Sequence, residues 1–281
     1  MSRMRELRAH LRSSAELSVQ GRDPGELLRL CKSGKLVRVR HGIYAERELW
    51  DELDPWDRYR LRILAVNDTA RNPPLFSHES AAVVLDIPIL GIPARVHAQQ
   101  EGDRVARSRN DIRRHFSSGY VPEKISLDGL RLTGLNSTLV ALGAESSFGS
   151  GVVAVDAMLR RKRTDIAAMS DAAGWIGSGA VRQRLNRVLE FSDARSQSPG
   201  ESASRAYMHL FGFPPPQLQA EFRDERGFIA RTDFYWPELG LIGEFDGLVK
   251  YQKAEYMKGR TASQVVVAEK KREDRLRASR F

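Results

Sequence analysis

The segment from Gly227 to Lys250 restricts the fold more than any other part of the chain. Phe228 to Trp236 and Leu241 to Asp246 read as strands, and Pro237-Glu238-Leu239-Gly240 supplies turn residues between them, so an antiparallel hairpin is expected. With Trp236 and Leu241 as the first pair, Asp233 lies opposite Glu244, and Asp246, further along the same strand, shares that face. Thr232, Phe234 and Phe245 then fall on the other face, where a core would want them. Two directly opposed carboxylates stand about 4.5–5.5 Å apart at Cβ and repel each other, so something must offset the charge. A divalent cation is the simplest candidate, because hard Mg²⁺ takes carboxylate oxygens and keeps positions open for water. The other reading is a polar sheet face whose acids fan into solvent or meet an arginine such as Arg231.

A length of 281 residues with 41% hydrophobic content suffices for two compact domains or three small ones in series. The fold class expected is a multidomain α+β or α/β chain in three parts. Residues 1–50 carry two short amphipathic helices and a basic alternating segment. Residues 51–192 form a mixed middle: Asp54-Pro55 opens a helix to about Arg71, Pro73-Pro74 breaks the chain, and Ser77 caps a helix through Leu85. Short strands then fit Ala94 to Gln99, Ile112 to Phe116 and Leu127 to Thr133, and the pattern turns helical from Asn136 to Phe191. Gly-Ser-Gly at 149–151 and at 177–179 suggests helix-joining turns. The polar linker 192–199 leads to residues 193–281, with the order helix, strand, strand, strand, helix.

At the front, Asp23-Pro24 starts a helix, Leu27, Leu28, Leu30 and Cys31 supply its apolar side, and Gly34 is placed to end it. In Lys35-Leu36-Val37-Arg38-Val39-Arg40 the valines alternate with arginines before the Gly42 turn, so one face can pack while the other presents guanidinium groups. A helix followed by a basic hairpin is how a winged helix-turn-helix places a helix in the major groove and a wing on the backbone. Edge hairpins also carry Arg and Lys simply to discourage edge pairing. The net charge of +9 favours a polyanionic partner, although an Arg-rich surface also arises from solvation alone.

These residues, from Gly34-Lys35-Leu36-Val37-Arg38-Val39-Arg40 to Gly42-Ile43-Tyr44, resemble the N-terminal domain of AbiEi-type antitoxins, winged-helix transcriptional autoregulators. The likeness continues through Ser77-His78-Glu79-Ser80-Ala81-Ala82 and Asp128-Gly129-Leu130-Arg131-Leu132-Thr133. It implies DNA contacts from Arg29, Lys32, Lys35, Arg38, Arg40 and Tyr44, and a cognate toxin protein as a further partner.

The rear resembles the PD-(D/E)xK restriction-endonuclease-like fold, in the branch of very-short-patch repair endonucleases, through a Glu-bearing helix followed by strands with Asp and Glu-x-Asp. Ser198-Pro199-Gly200-Glu201 also has a structural meaning of its own, an N-cap with Glu201 completing a capping box. The resemblance places Glu201, Asp233, Glu244 and Asp246 on metal positions, with Mg²⁺ or Mn²⁺ activating water against a DNA phosphodiester. Many members carry a lysine where this chain has Asp246, and the nearest lysine is Lys250, either a catalytic cation or a solvated one. The last helix, about Gln264 to Arg280, is basic on one side, and the further strand of that family is not supplied before Phe281. The functions implied are a metal-dependent DNA endonuclease or, alternatively, a non-enzymatic AbiEi-like antitoxin with a degenerate nuclease-like domain.

Other chemistries find little footing. The histidines at 10, 41, 78, 97, 115 and 209 show no paired zinc spacing, and the single cysteine cannot build a thiolate site, so structural zinc is not expected. No phosphate-cradling glycine loop or Gly-x-Ser-x-Gly elbow occurs. Met1 to His10 is charged, and apolar runs such as Ala81 to Leu85 are short, so a cytoplasmic protein without a membrane segment is expected.

Overall fold

The computed structural model describes residues 2–100, 111–116, 122–245, 270 and 272–278. The front contains three short helices, where the sequence suggested two. Ser2 caps α1 (Arg3–Arg8), which buries Met4 and Leu7 three residues apart. Both join the main core, and Arg3 Nε donates to Asp57 at 2.9 Å, so α1 is a strap onto the middle of the chain. After β1 (Arg12–Ser13), Ser13 caps α2 (Ser14–Val19). Asp23 Oδ1 accepts from Gly25 N at 2.8 Å to open α3 (Gly25–Lys32), and Gly34, at φ +82°, ends it in a left-handed conformation that glycine adopts freely. The hairpin of β2 (Leu36–Arg40) and β3 (Ile43–Glu46) follows, and the sheet order is β1-β3-β2.

The hairpin differs from the simple alternation expected. Arg38 pairs with Tyr44 but Arg40 pairs with Ile43, so Val39 is an extra, bulged residue. Leu36 and Tyr44 pack with Leu27 of α3, while Val39 packs on the main core. Both sides of the hairpin are therefore engaged, and no whole face is left to present arginines.

The middle begins with α4 (Arg47–Glu52) and α5 (Pro55–Thr69), the latter capped by Asp54 Oδ1 from Asp57 N at 2.8 Å with Pro55 in its first turn. Next come β4 (Leu75–Phe76), α6 (His78–Val84), β5 (Val96–Gln99), β6 (Ile112–His115), β7 (Lys124–Leu127) and β8 (Leu130–Thr133). The strands form one mixed sheet in the order β6-β5-β4-β8-β7, with β4/β8 and β5/β6 parallel. Ser77 stands at the N-cap of α6, but its hydroxyl meets His78 Nδ1 at 3.0 Å and makes no capping bond to a helix N–H.

A helical layer of α7 (Leu135–Glu145), α8 (Phe148–Arg160), α9 (Ile166–Ala172) and α10 (Gly179–Phe191) follows. Gly149-Ser150-Gly151, which suggested a turn, lies inside α8. The reason is packing: a Cβ on Gly151 would meet Gly143 Cα and Val188 Cγ2, each at 3.1 Å, so the residue lets α7, α8 and α10 approach closely.

The linker toward the rear is pinned. Asp193 N donates to Asp156 Oδ1 at 2.7 Å, and Arg160 donates to the Ser196 carbonyl. Ser198 caps α11 (Pro199–Leu210), with Pro199 in its first turn. Arg205 on this helix reaches the fully buried Asp156 of α8 at 2.8 Å, and Ala206 joins the main core. The strands β9 (Gln217–Asp224), β10 (Gly227–Trp236) and β11 (Leu241–Gly243) form an antiparallel sheet. The register is Trp236↔Leu241, Tyr235↔Ile242 and Phe234↔Gly243, beginning on the pair expected from sequence. Met208 of α11 covers Leu218, Phe234 and Trp236, while Leu276, in the helical residues 272–278, packs with Phe222, Ile229 and Ala230. Among the described residues no helix is long and apolar enough to cross a membrane.

Candidate nucleic-acid interface and rear carboxylate cluster

The periodicity of α3 sorts its side chains. Leu27 is buried and Leu30 and Cys31 pack beside it, while Leu28, Arg29 and Lys32 face outward at one- and four-residue spacing. Lys35 is exposed before β2, and Arg38 is exposed directly across from Tyr44.

Two of the six expected DNA contacts are committed elsewhere. Tyr44 is 5% exposed and fills the small core against Leu27 and Leu36, which corrects its assignment as a surface group. Arg40, turned by the bulge at Val39, forms an ion pair with Asp111 and is largely covered. Arg29 makes an exposed pair with Asp23 at 2.7 Å. The Asp23 carboxyl is held below its usual range, first by the Gly25 N–H and then by Arg29. Such an exposed pair contributes little to stability and exchanges readily for a phosphate partner.

At the rear, Gln219 stands between Glu201 and Asp233. Its Nε2 donates to Glu201 Oε2 at 3.0 Å and to Asp233 Oδ1 at 3.1 Å. Gln219 adopts φ +55° within β9, a strained conformation for this residue type, and it aims its amide between the two acids. The second Asp233 oxygen accepts from Phe245 N at 2.8 Å, and Glu201 Oε2 also accepts from Gln197 N at 2.7 Å, a variation on the capping box. Glu244 is gripped by Arg272 through paired bonds of 3.0 and 2.8 Å.

This arrangement answers the repulsion that the strand register creates. An amide, a backbone N–H and a guanidinium occupy the positions around the acids, so Glu201, Asp233 and Glu244 as they stand do not fit a Mg²⁺ or Mn²⁺ ion. Cation binding requires Arg272 to release Glu244 and Gln219 to withdraw. Asp246 and Lys250, the other two expected site residues, lie outside the described residues.

Comparison with known proteins adds weight at the front. Residues 4–47 match a family described as "Transcriptional regulator, AbiEi antitoxin". The chain thus carries an AbiEi-type regulator domain at its N-terminus, spanning α1 to β3. The chain is also similar to two proteins of Mycobacterium tuberculosis, "Uncharacterized protein MT2308" from strain CDC 1551 / Oshkosh and "Uncharacterized protein Rv2248" from strain ATCC 25618 / H37Rv. Each is 28% identical over 225 residues, 77% of this chain and 76% of the relative. Among solved structures, the crystal structure of RV2827C protein from Mycobacterium tuberculosis aligns with a TM-score of 0.43 and 14% identity, over 79% of this chain and 87% of that one.

Within the AbiEi-type domain the exposure of Arg29 and Lys32 was legible from the pattern of α3, but Leu28, expected on its apolar side, is exposed. The bulge at Val39 was not legible, because it depends on how α5 and α3 share the two sides of the hairpin. Gln219 was likewise missed at the rear: its importance comes from lying across from Asp233 in the sheet, and a single glutamine in sequence carries no such signal.

Proposed function

We propose that this chain is a DNA-binding transcriptional regulator of the antitoxin type, with α3 as its recognition helix and Arg38 as the hairpin contact. The observation that carries this reading is the outward row of Leu28, Arg29 and Lys32 on α3, beside exposed Lys35 and Arg38, inside the AbiEi-type domain. Lysine and arginine there supply phosphate contacts, while Leu28 and the outward end of α3 can meet base edges in the major groove. A toxin protein is the second partner expected from the family description, and the cytoplasm is the compartment such a role requires.

The test is selection of duplex DNA from a random pool by the full chain, followed by titration at several salt concentrations. A selected sequence bound with strong salt dependence supports the reading. Failure to enrich any sequence, or equal enrichment by a Leu28→Ala, Lys32→Ala, Arg38→Ala variant, removes it.

A second reading keeps the rear as a metal-dependent DNA endonuclease. It is supported by the hairpin register, which runs to Phe234↔Gly243 with Asp233 and Glu244 next in line, and it requires Gln219 and Arg272 to release these acids first. Plasmid incubated with Mg²⁺ or Mn²⁺ should be nicked by the native chain and spared by Asp233→Asn, Glu244→Gln. Equal nicking by both, or by neither, eliminates cleavage by this cluster.

A further inference from the structure

Three of the six histidines, distant in sequence, meet beside the middle sheet. His78 opens α6, His97 lies in β5, His115 ends β6, and Glu145 closes α7. The three imidazoles are buried. His78 and His115 stack with centroids 3.4 Å apart and planes 17° from parallel. His78 Nε2 lies 3.3 Å and His115 Nδ1 3.0 Å from the same carboxylate oxygen, Glu145 Oε2.

Protons alone leave this cluster incompletely satisfied. His78 Nε2 is buried without a hydrogen-bond partner, because its approach to Glu145 is out of line. His97 Nδ1 faces both His115 Nε2 at 3.1 Å and Glu79 Oε2 at 2.6 Å, and one nitrogen cannot accept from the first while donating to the second. Glu79 Oε2 is itself a buried oxygen with no aligned hydrogen bond. Unsatisfied buried polar atoms are costly and call for an explanation, an unplaced ion among them. His78 also holds φ +49°, a strained backbone that turns its ring into the cluster.

We propose that His78, His115 and Glu145 form a binding site for a divalent transition metal of the zinc class, bound through His78 Nε2, His115 Nδ1 and Glu145 Oε2. The three ligand atoms lie within 4.8 Å of one another. Ligands about 2.0–2.2 Å from a tetrahedral ion stand about 3.3 Å apart, which matches the two nitrogen-to-oxygen distances. The remaining ring nitrogens have the outer partners a metal-bound histidine uses: His78 Nδ1 meets Ser77 Oγ at 3.0 Å, and His115 Nε2 meets His97. Two nitrogens and one carboxylate leave the fourth position for water or an incoming ligand. A softer, imidazole-binding ion such as Zn²⁺ or Co²⁺ suits this donor set, and Mg²⁺ does not.

The experiment uses the full chain without a histidine tag, dialysed against Zn²⁺ and assayed for metal by mass spectrometry. The expected result is about one zinc per chain, with uptake reduced at least tenfold in Glu145→Gln and in His78→Ala. Because His78→Ala can fail to fold, Co²⁺ is added to the native chain as well. Visible absorption typical of a four-coordinate site, displaced by Zn²⁺, is expected without any substitution. No stoichiometric uptake by the folded native chain, or full uptake by Glu145→Gln, would overturn the proposal.

Discussion

The front and rear of the molecule handle charge in opposite ways. Along α3 and the hairpin, Lys32, Lys35 and Arg38 stand exposed, and Arg29 has only an exposed partner in Asp23. At the rear, Gln219, the Phe245 N–H and Arg272 hold Asp233 and Glu244 in place. The joints differ too: the front is strapped to the middle by Arg3 on Asp57 and by Met4 and Leu7, the rear by the buried pair Arg205–Asp156. The contrast teaches that charge type alone does not mark a ligand site. Loosely paired charge remains available to another polyion, whereas internally matched charge has already been used by the fold.

The most severe break in this contrast is expected at the rear joint. Asp156 is raised above its usual range by burial even with Arg205 beside it. Arg205→Ala leaves that carboxyl without its guanidinium and should destabilise the chain by about 3–5 kcal/mol in urea unfolding. A loss below about 1 kcal/mol would mean that the rear does not depend on this pair. At the front, Lys32→Ala, Lys35→Ala, Arg38→Ala should weaken DNA binding and reduce the slope of log affinity against log salt by about 0.9 for each phosphate contact removed. An unchanged slope would place the interface elsewhere.

A smaller effect is expected at the front strap. Burial pushes the Asp57 carboxyl up, but Arg3 and Arg60 together outweigh it and hold the group below its usual range. The folded form therefore binds this proton less readily than the unfolded chain, so the stabilisation is present above the unfolded value and is lost as pH falls through the folded one. Asp57→Asn should be less stable than the native chain at neutral pH, and the gap should close in acid. A gap that does not vary with pH would deny the strap its electrostatic part. The smallest change is predicted for Arg272→Ala, about 0–1 kcal/mol, since its pair with Glu244 is partly exposed. If that substitution switches on metal-dependent cleavage, the rear acids are a restrained nuclease site and the contrast drawn above fails.

Much of the local structure was legible because it depends on neighbours in the chain. Asp54-Pro55 and Ser198-Pro199 open helices as their capping chemistry requires, Gly34 ends α3, and Pro237 to Gly240 sets the Trp236↔Leu241 pairing. The site residues were legible only as residue types. That Asp233 and Glu244 come near each other follows from a register that ends at Phe234↔Gly243, short of the strand expected to Asp246, but that Arg272 neutralises one and Gln219 bridges the other depends on side chains from separate elements. Tyr44 illustrates the same limit: as a hairpin aromatic it could face DNA or core, and the position of Leu27 decides for the core.

By itself the sequence determined the helix boundaries set by caps, the hairpin register and the basic character of the front, since each rests on short-range periodicity and backbone preference. Only the tertiary structure decided which charges are satisfied internally, and only it gathered His78, His97 and His115 with Glu145. The reason is distance along the chain: those four residues come from four elements, and no spacing rule links side chains that meet through sheet order and helix packing.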